Sequence, residues 1–208
     1  MLEHAIAAAR DAGAKRVAVV CGDEARGRIQ SLVDCVIPEH ESGAENVRSA
    51  LTAFDDDVLY LSSDLPFITG STVKDFLNRV PPRTIAMPLA DAAAYESRFP
   101  HAPAHATVIG RERVANGSAF VIPSGAAPRI VNVSEQFFNA RKSLIRMAVL
   151  LGPQLLLKFT LRRLRIADIE RRASDALGFP TRAIRDCAPE LCYDIDDLGD
   201  YQYACEHG

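Results

Sequence analysis

Trp is absent from the 208-residue chain, and that excludes nothing. Other absences exclude more. No stretch is long and apolar enough to read as a membrane span. The most apolar region, Leu144 to Leu161, is broken by Arg146, Gly152, Pro153 and Lys158. The N-terminus is amphipathic, not a charged segment followed by an apolar one, so no secretory signal is legible. No Cys-x-x-Cys pair occurs, and the five cysteines (Cys21, Cys35, Cys187, Cys192 and Cys205) are odd in number. Cys21 and Cys35 lie in apolar runs and read as small core residues. A disulfide scaffold is therefore not expected, and a reducing cytoplasm is. Zinc spacing is missing too: the five histidines are scattered, and Pro103 keeps His101 and His105 off a common helix face. The net charge of -3 and pI of about 6.0 give no basis for expecting nucleic acid as a partner.

What is present is an ordinary soluble balance, 48% apolar and 25% charged residues, enough for a sizeable core in one domain spanning 1–208. The opening "MLEHAIAAARDAGAKRVAVVC" reads helix, turn, strand: Leu2, Ala5, Ile6 and Ala9 recur at helical spacing, and Gly13 follows as a C-cap. Arg16 to Cys21 and Asp34 to Pro38 read as short buried strands. Glu45 to Phe54 reads as a helix, Asp57 to Leu61 as a strand, Ser71 to Val80 as a helix stopped by Pro81 and Pro82, and Thr84 to Ala90 as a strand. This alternation predicts an α/β fold, a mostly parallel sheet with helices on both faces. After Asp91 the rhythm breaks into short strands among turns, followed by a mostly helical stretch from Ser134 to Leu177. A short strand, Leu191 to Tyr193, and a terminal helix close the chain.

The stretch "VLYLSSDLPFIT" carries an acid, Asp64, to the end of a core strand, where Pro66 stops the strand. Ligands of open parallel sheets bind beyond the carboxyl ends of the strands. Asp194 and Asp196 lie beyond another predicted strand, so acids far apart in sequence can meet at one edge. Such hard oxygen donors suit Mg²⁺, which completes its shell with water and substrate phosphates. Asp64, Asp194 and Asp196 are therefore candidate metal ligands; the alternative is an Asp acting as turn former or helix cap. On an extended backbone Asp194 and Asp196 share a face and Asp197 points away. Asp55-Asp56-Asp57 precedes its strand at the opposite edge and reads as a solvated loop.

The segments "MLEHAIAAARDAGAKRVAVV", "VLYLSSDLPFIT", "NGSAFVIP" and "YDIDDLGDY", in this order and spacing, resemble the MobA-like NTP transferases, nucleotidyltransferases on the Rossmann-like GT-A fold. The resemblance spans nearly the whole chain, and the strand-Asp-x-Pro element and the closing Asp-x-Asp turn are its most specific parts. It implies Mg²⁺-dependent joining of an NTP to a phosphorylated acceptor, such as a sugar phosphate, with release of pyrophosphate. It implies Asp64 and Asp196 as the catalytic metal ligands, with Asp194 beside them. Gly43, Asn46 and Ser49 in "SGAENVRSAL" match the loop and helix start that contact the nucleotide; a free helix N-terminus is a reasonable anion contact, and an ordinary polar cap is the alternative. Asn116 and Gly117 match the element lining the acceptor site, where an Asn-Gly hairpin turn is the alternative. Arg141 and Lys142 could reach an acceptor phosphate, or form a solvated helix end. Residues 92–180 would then be the acceptor-side part. The apolar and basic segment Leu155 to Ile166 is expected to pack as a lid or subunit contact, without stable membrane insertion.

One departure stands out. Family members open with a strand, a Gly-rich loop carrying a basic residue, and a Lys. Here Met1-Leu2-Glu3 starts at the helix that should follow. The expectation is a chain that is N-terminally incomplete or has lost this loop, marginal in stability and weak in triphosphate binding. Two competing readings follow: a glycosyltransferase of the GT-A fold using a ready-made sugar nucleotide, and a non-catalytic nucleotide-binding protein.

Overall fold

The computed structural model describes residues 1–103, 105–140 and 152–208. Arg141 and Lys142 lie outside the described residues. The helices are α1 (Leu2–Asp11), α2 (Asp23–Ile29), α3 (Gly43–Leu51), α4 (Gly70–Arg79), α5 (Ala92–Arg98), α6 (Ala127–Ala140), α7 (Pro153–Thr160), α8 (Ile166–Leu177) and α9 (Leu198–His207). The strands are β1 (Ala18–Cys21), β2 (Cys35–Pro38), β3 (Val58–Leu61), β4 (Ile85–Asp91), β5 (Ala106–Ile109), β6 (Glu112–Asn116), β7 (Ala119–Ile122) and β8 (Thr181–Ile184).

Local chemistry sets several of these bounds. Thr69 caps α4 by accepting the Thr72 N–H at 3.2 Å, and Thr72 Oγ1 accepts the Thr69 N–H at 3.0 Å. Asp91 caps α5 through the N–H groups of Ala93 and Ala94. Two helices escape the sequence reading. In α2, "DEARGRI", only Ile29 is buried, so no apolar period exists to detect. Helix α5 starts directly on the last residue of β4, with no loop between them to mark the change.

A six-stranded sheet has the order β3-β7-β4-β6-β5, with β8 also paired to β4; β1 and β2 form a separate parallel pair. Helices cover both faces. The alternation along β3 and β7 shows it: Leu59, Leu61, Ala119 and Val121 pack into the cluster built with α1, α4, α5 and α9. Val58, Tyr60, Phe120 and Ile122 pack into the cluster built with α3, α6 and α8. The α/β class therefore holds, but the mostly parallel sheet is corrected. Four of the six strand pairings among the described residues are antiparallel. Strand β7 inserts between β3 and β4 and runs against both, and β6 runs against β4 and β5. Strands β3, β4 and β8 still share one direction, so their carboxyl ends lie on one side.

Segment β6–β7 behaves as one long strand with a bend. Both halves run antiparallel to β4, β6 pairing its end and β7 its start. The Asn-Gly hairpin alternative therefore fails, because the chain does not reverse at Gly117. The Gly117 N–H instead donates to Pro88 O at 2.9 Å, and the Ser118 N–H donates to Leu191 O at 3.1 Å. A second correction concerns the predicted strand Leu191–Tyr193. The chain there forms a single 3₁₀ turn, Pro189–Leu191, entered through a proline that has no N–H to give a ladder.

Candidate active site

Strand β3 ends at Leu61, and the Ser62 N–H donates to Ser118 O at 3.0 Å. After Asp64 the chain dives into the core: Leu65 and Ile68 are fully buried. Asp64 is thus held at the point where a rigid strand turns inward. Its backbone carbonyl accepts the Ile195 N–H at 3.1 Å, which seats it against the residue between Asp194 and Asp196. Its side chain is half-buried, with Oδ1 closed off from solvent and without a hydrogen-bond partner among the described residues. A buried, unanswered carboxylate oxygen is costly unless something else supplies the missing charge.

Across this junction Asp194 Oδ2 accepts the Ser118 hydroxyl at 2.7 Å. The bend at Gly117 is what delivers Ser118 there. His105, just ahead of β5, places Nδ1 at 3.6 Å from Asp194 Oδ1 and Nε2 at 2.9 Å from Asp200 Oδ1. Ligand atoms of His105, Asp194 and Asp196 all lie within 4.8 Å of one another. Asp200, only 2% exposed, also accepts the N–H groups of Asp196 and Asp197 through Oδ2, at 3.0 and 3.1 Å. Burial pushes the Asp200 carboxyl up. The His105 bond and the two backbone N–H groups outweigh that and hold it below the usual carboxylate range. Asp197 turns to the N-terminus of α9 and caps it through Gly199 and Asp200 N–H groups.

The floor of this corner is aromatic. The His105 ring lies 5.3 Å from Tyr193 and 5.9 Å from Tyr95. Tyr193 is fully buried and its hydroxyl donates to Asp200 O at 3.1 Å. Burial raises the Tyr95 and Tyr193 hydroxyls, so both stay protonated. Such apolar walls strengthen every charge interaction beside them.

The structure therefore seats the Asp64 backbone against the turn that carries Asp194 and Asp196, while the ligand atoms that lie within 4.8 Å of one another are those of His105, Asp194 and Asp196, without Asp64. Gly43, Asn46 and Ser49 lie on α3. There the Asn46 side chain accepts the His40 N–H at 2.7 Å and donates to His40 O at 3.0 Å, closing the loop before the helix. Asn116 is exposed at the end of β6, while Gly117 is packed against Pro88 and Leu191. His105 and Asp200 were missed by the sequence reading. His105 lies next to no motif, and Asp200 reads as one more acid in an acidic turn. Only the topology makes them neighbours.

An imidazole and several carboxylates thus gather at the carboxyl edge of an α/β sheet, the edge at which open α/β sheets take their ligands. The MobA-like NTP transferase domain matches residues 1–146, and the chain belongs to that family. Among solved structures it is similar to a hypothetical transferase from Thermus thermophilus. That match has 26% identity and a TM-score of 0.84, and covers 96% of this chain and 85% of the other. It shares its fold with a nucleotidyl transferase from Methanothermobacter thermautotrophicus at 12% identity and a TM-score of 0.58, over 99% of this chain and 79% of the other. No curated protein matches it. Family and fold are those of nucleotidyl transfer. Among the described residues no helix is long and apolar enough to cross a membrane.

Proposed function

We propose that the chain catalyses divalent-metal-dependent transfer of a nucleotidyl group from an NTP to a phosphorylated acceptor, a sugar phosphate being the preferred class, with release of pyrophosphate. The observation that carries this reading is the seating of the Asp64 backbone against the Asp194–Asp196 turn, with a buried Asp64 oxygen that no donor among the described residues answers. The donor set fits a divalent cation, which Asp64, Asp194 and Asp196 would hold; on the carboxylates alone it would be Mg²⁺. Such an ion supplies charge neutralisation on the phosphoryl oxygens. The chain's own share is positioning. Asp194 is fixed by Ser118, and the turn after it by Asp200. In-line attack by an acceptor phosphate oxygen on the α-phosphorus then requires no side-chain nucleophile. The start of α3, with Gly43, Asn46 and Ser49, would contact the nucleotide. Residues 92–180, with Asn116, Gly117, Arg141 and Lys142, would form the acceptor side. Five free thiols suit a reducing cytoplasm.

The test is a panel of NTPs and sugar phosphates assayed for products. Pyrophosphate release with formation of an NDP-sugar is expected, and Asp64→Ala and Asp196→Ala should abolish it while leaving the fold intact. Release of an NDP from a sugar nucleotide would instead identify a glycosyltransferase. Nucleotide binding with no turnover by any pair would identify a binding protein.

A further inference from the structure

We propose that His105 is itself a ligand of the cation at this site, so that the ion held there is a first-row divalent metal that accepts imidazole nitrogen, Mn²⁺ in particular, in preference to Mg²⁺. The inference rests on Asp194 and Asp196 being cation ligands in the transfer reaction.

The argument starts from Asp200. Its carboxylate is buried, 2% exposed, and acts only as an acceptor: Oδ2 takes two backbone N–H groups and Oδ1 takes the imidazole. The proton on that imidazole bond therefore belongs to Nε2. In the neutral ring this leaves Nδ1 with a lone pair. Nδ1 faces Asp194 Oδ1 at 3.6 Å, beyond hydrogen-bond range. The other oxygen of Asp194 is already satisfied by Ser118 at 2.7 Å. Two electron-pair donors are thus aimed at a shared space and held from behind, each by its own partner. Asp196 offers a third donor, all three within 4.8 Å. Ligands on opposite sides of one ion bound at about 2.0–2.2 Å stand about 4 Å apart, so small side-chain movements suffice.

A carboxylate behind a histidine whose far nitrogen faces other ligands is the arrangement that fixes the tautomer and raises the basicity of a metal-binding imidazole. Mg²⁺ takes oxygen ligands and gives up water reluctantly. Imidazole favours transition metals, and the carboxylates and water that complete this set suit Mn²⁺. The competing account of the 3.6 Å separation is a protonated His105 paired with Asp194, and it predicts no nitrogen on the metal.

The measurement is pulsed electron paramagnetic resonance on the full chain with Mn²⁺ alone, no nucleotide present. The expected result is Mn²⁺ coupled to ¹⁴N, with the pattern replaced by that of ¹⁵N in uniformly ¹⁵N-labelled protein. This comparison needs no variant to fold. His105→Gln should erase the nitrogen coupling and weaken Mn²⁺ binding by calorimetry by more than the about 10–100-fold that loss of a partner behind a ligand costs. Mg²⁺ binding should change far less. Asp200→Asn should keep the coupling and weaken the affinity. Bound Mn²⁺ without nitrogen coupling overturns the proposal and leaves nucleotidyl transfer standing. So does equal affinity for Mn²⁺ and Mg²⁺ that His105→Gln does not alter, and absence of Mn²⁺ binding overturns it as well. Nitrogen-coupled Mn²⁺ in a chain that transfers no nucleotide sustains the ligand and sinks the transferase reading.

Discussion

Asp64 keeps one carboxylate oxygen where water does not reach it and where no donor among the described residues answers it. A cation at this oxygen would supply the charge that no described donor does. Removing it should therefore separate stability from function. In metal-free buffer Asp64→Asn is expected to melt at or above the parent, because it lifts the penalty of an unanswered buried charge, about 1–3 kcal/mol. Excess Mn²⁺ or Mg²⁺ should raise the melting temperature of the parent and not that of the variant. A variant that melts well below the parent without metal would mean that Asp64 is structural. At this scale the legibility of the sequence was uneven. Asp64 was legible as an acid at the end of a strand, and Asp194 and Asp196 as an Asp-x-Asp pair, which made them candidates for a cation. His105 and Asp200 were not. His105 sits beyond a proline with no periodic neighbours, and Asp200 hides as the third position of the α9 capping box.

The element that assembles the corner is the bent strand β6–β7. Its kink changes partners from the end of β4 to β3 and carries Ser118 to Asp194. Gly117 makes the kink possible. A Cβ there would come within 2.5 Å of Pro88 Cγ and 2.6 Å of Leu191 O, closer than side-chain and backbone atoms tolerate. Gly117→Ala should therefore cost about 1–3 kcal/mol, as overpacking does, and displace Ser118. Denaturant unfolding and Mn²⁺ affinity should both fall in this variant. Ser118→Ala should lower the affinity and leave unfolding little changed. An alanine at position 117 that left both measurements at parent values would show that the bend has room. The sequence showed these elements only in part. Strands β1 to β4 were legible from their apolar runs. The antiparallel insertion of β7 was not, because a short apolar run carries no sign of its direction or neighbours. The predicted strand Leu191–Tyr193 misread buried Leu191, Cys192 and Tyr193, which pack from a turn instead of a ladder.

In the molecule as a whole, the β1–β2 pair carries a small cluster of its own that shares helix α1 with the largest cluster. The large cluster gathers residues from α1, α4, α5 and α9 against the six-stranded sheet. The small one gathers Ile6, Val17, Val19, Cys21 and Ile29 around the parallel pair β1–β2. Helix α1 belongs to both, since Ala5 and Ala8 face the first and Ile6 the second. Among the described residues β1 and β2 pair only with each other, and a two-stranded unit is marginal on its own. Asp34 adds the main polar tie. Its Oδ2 accepts the Val17 N–H at 2.7 Å and the Arg10 guanidinium at 2.6 Å. Those two bonds hold its carboxyl below the usual range. The β1–β2 unit should therefore open as a sub-global step below the global unfolding energy. Native-state hydrogen exchange should show amides of Val19 and Val36 exchanging at lower opening free energy than those of Ala86 and Val121. Ile6→Ala should lower protection in β1–β2 selectively and leave Mn²⁺ binding intact. The sign with pH follows from Asp34: a depressed folded pKa gives stability that is present above about pH 3.9 and is lost as pH falls through the folded value. Acid should thus loosen this unit first, and Asp34→Asn should remove that part of the pH dependence. Equal opening energies in both sheets, falling together in Ile6→Ala, would show one cooperative body instead.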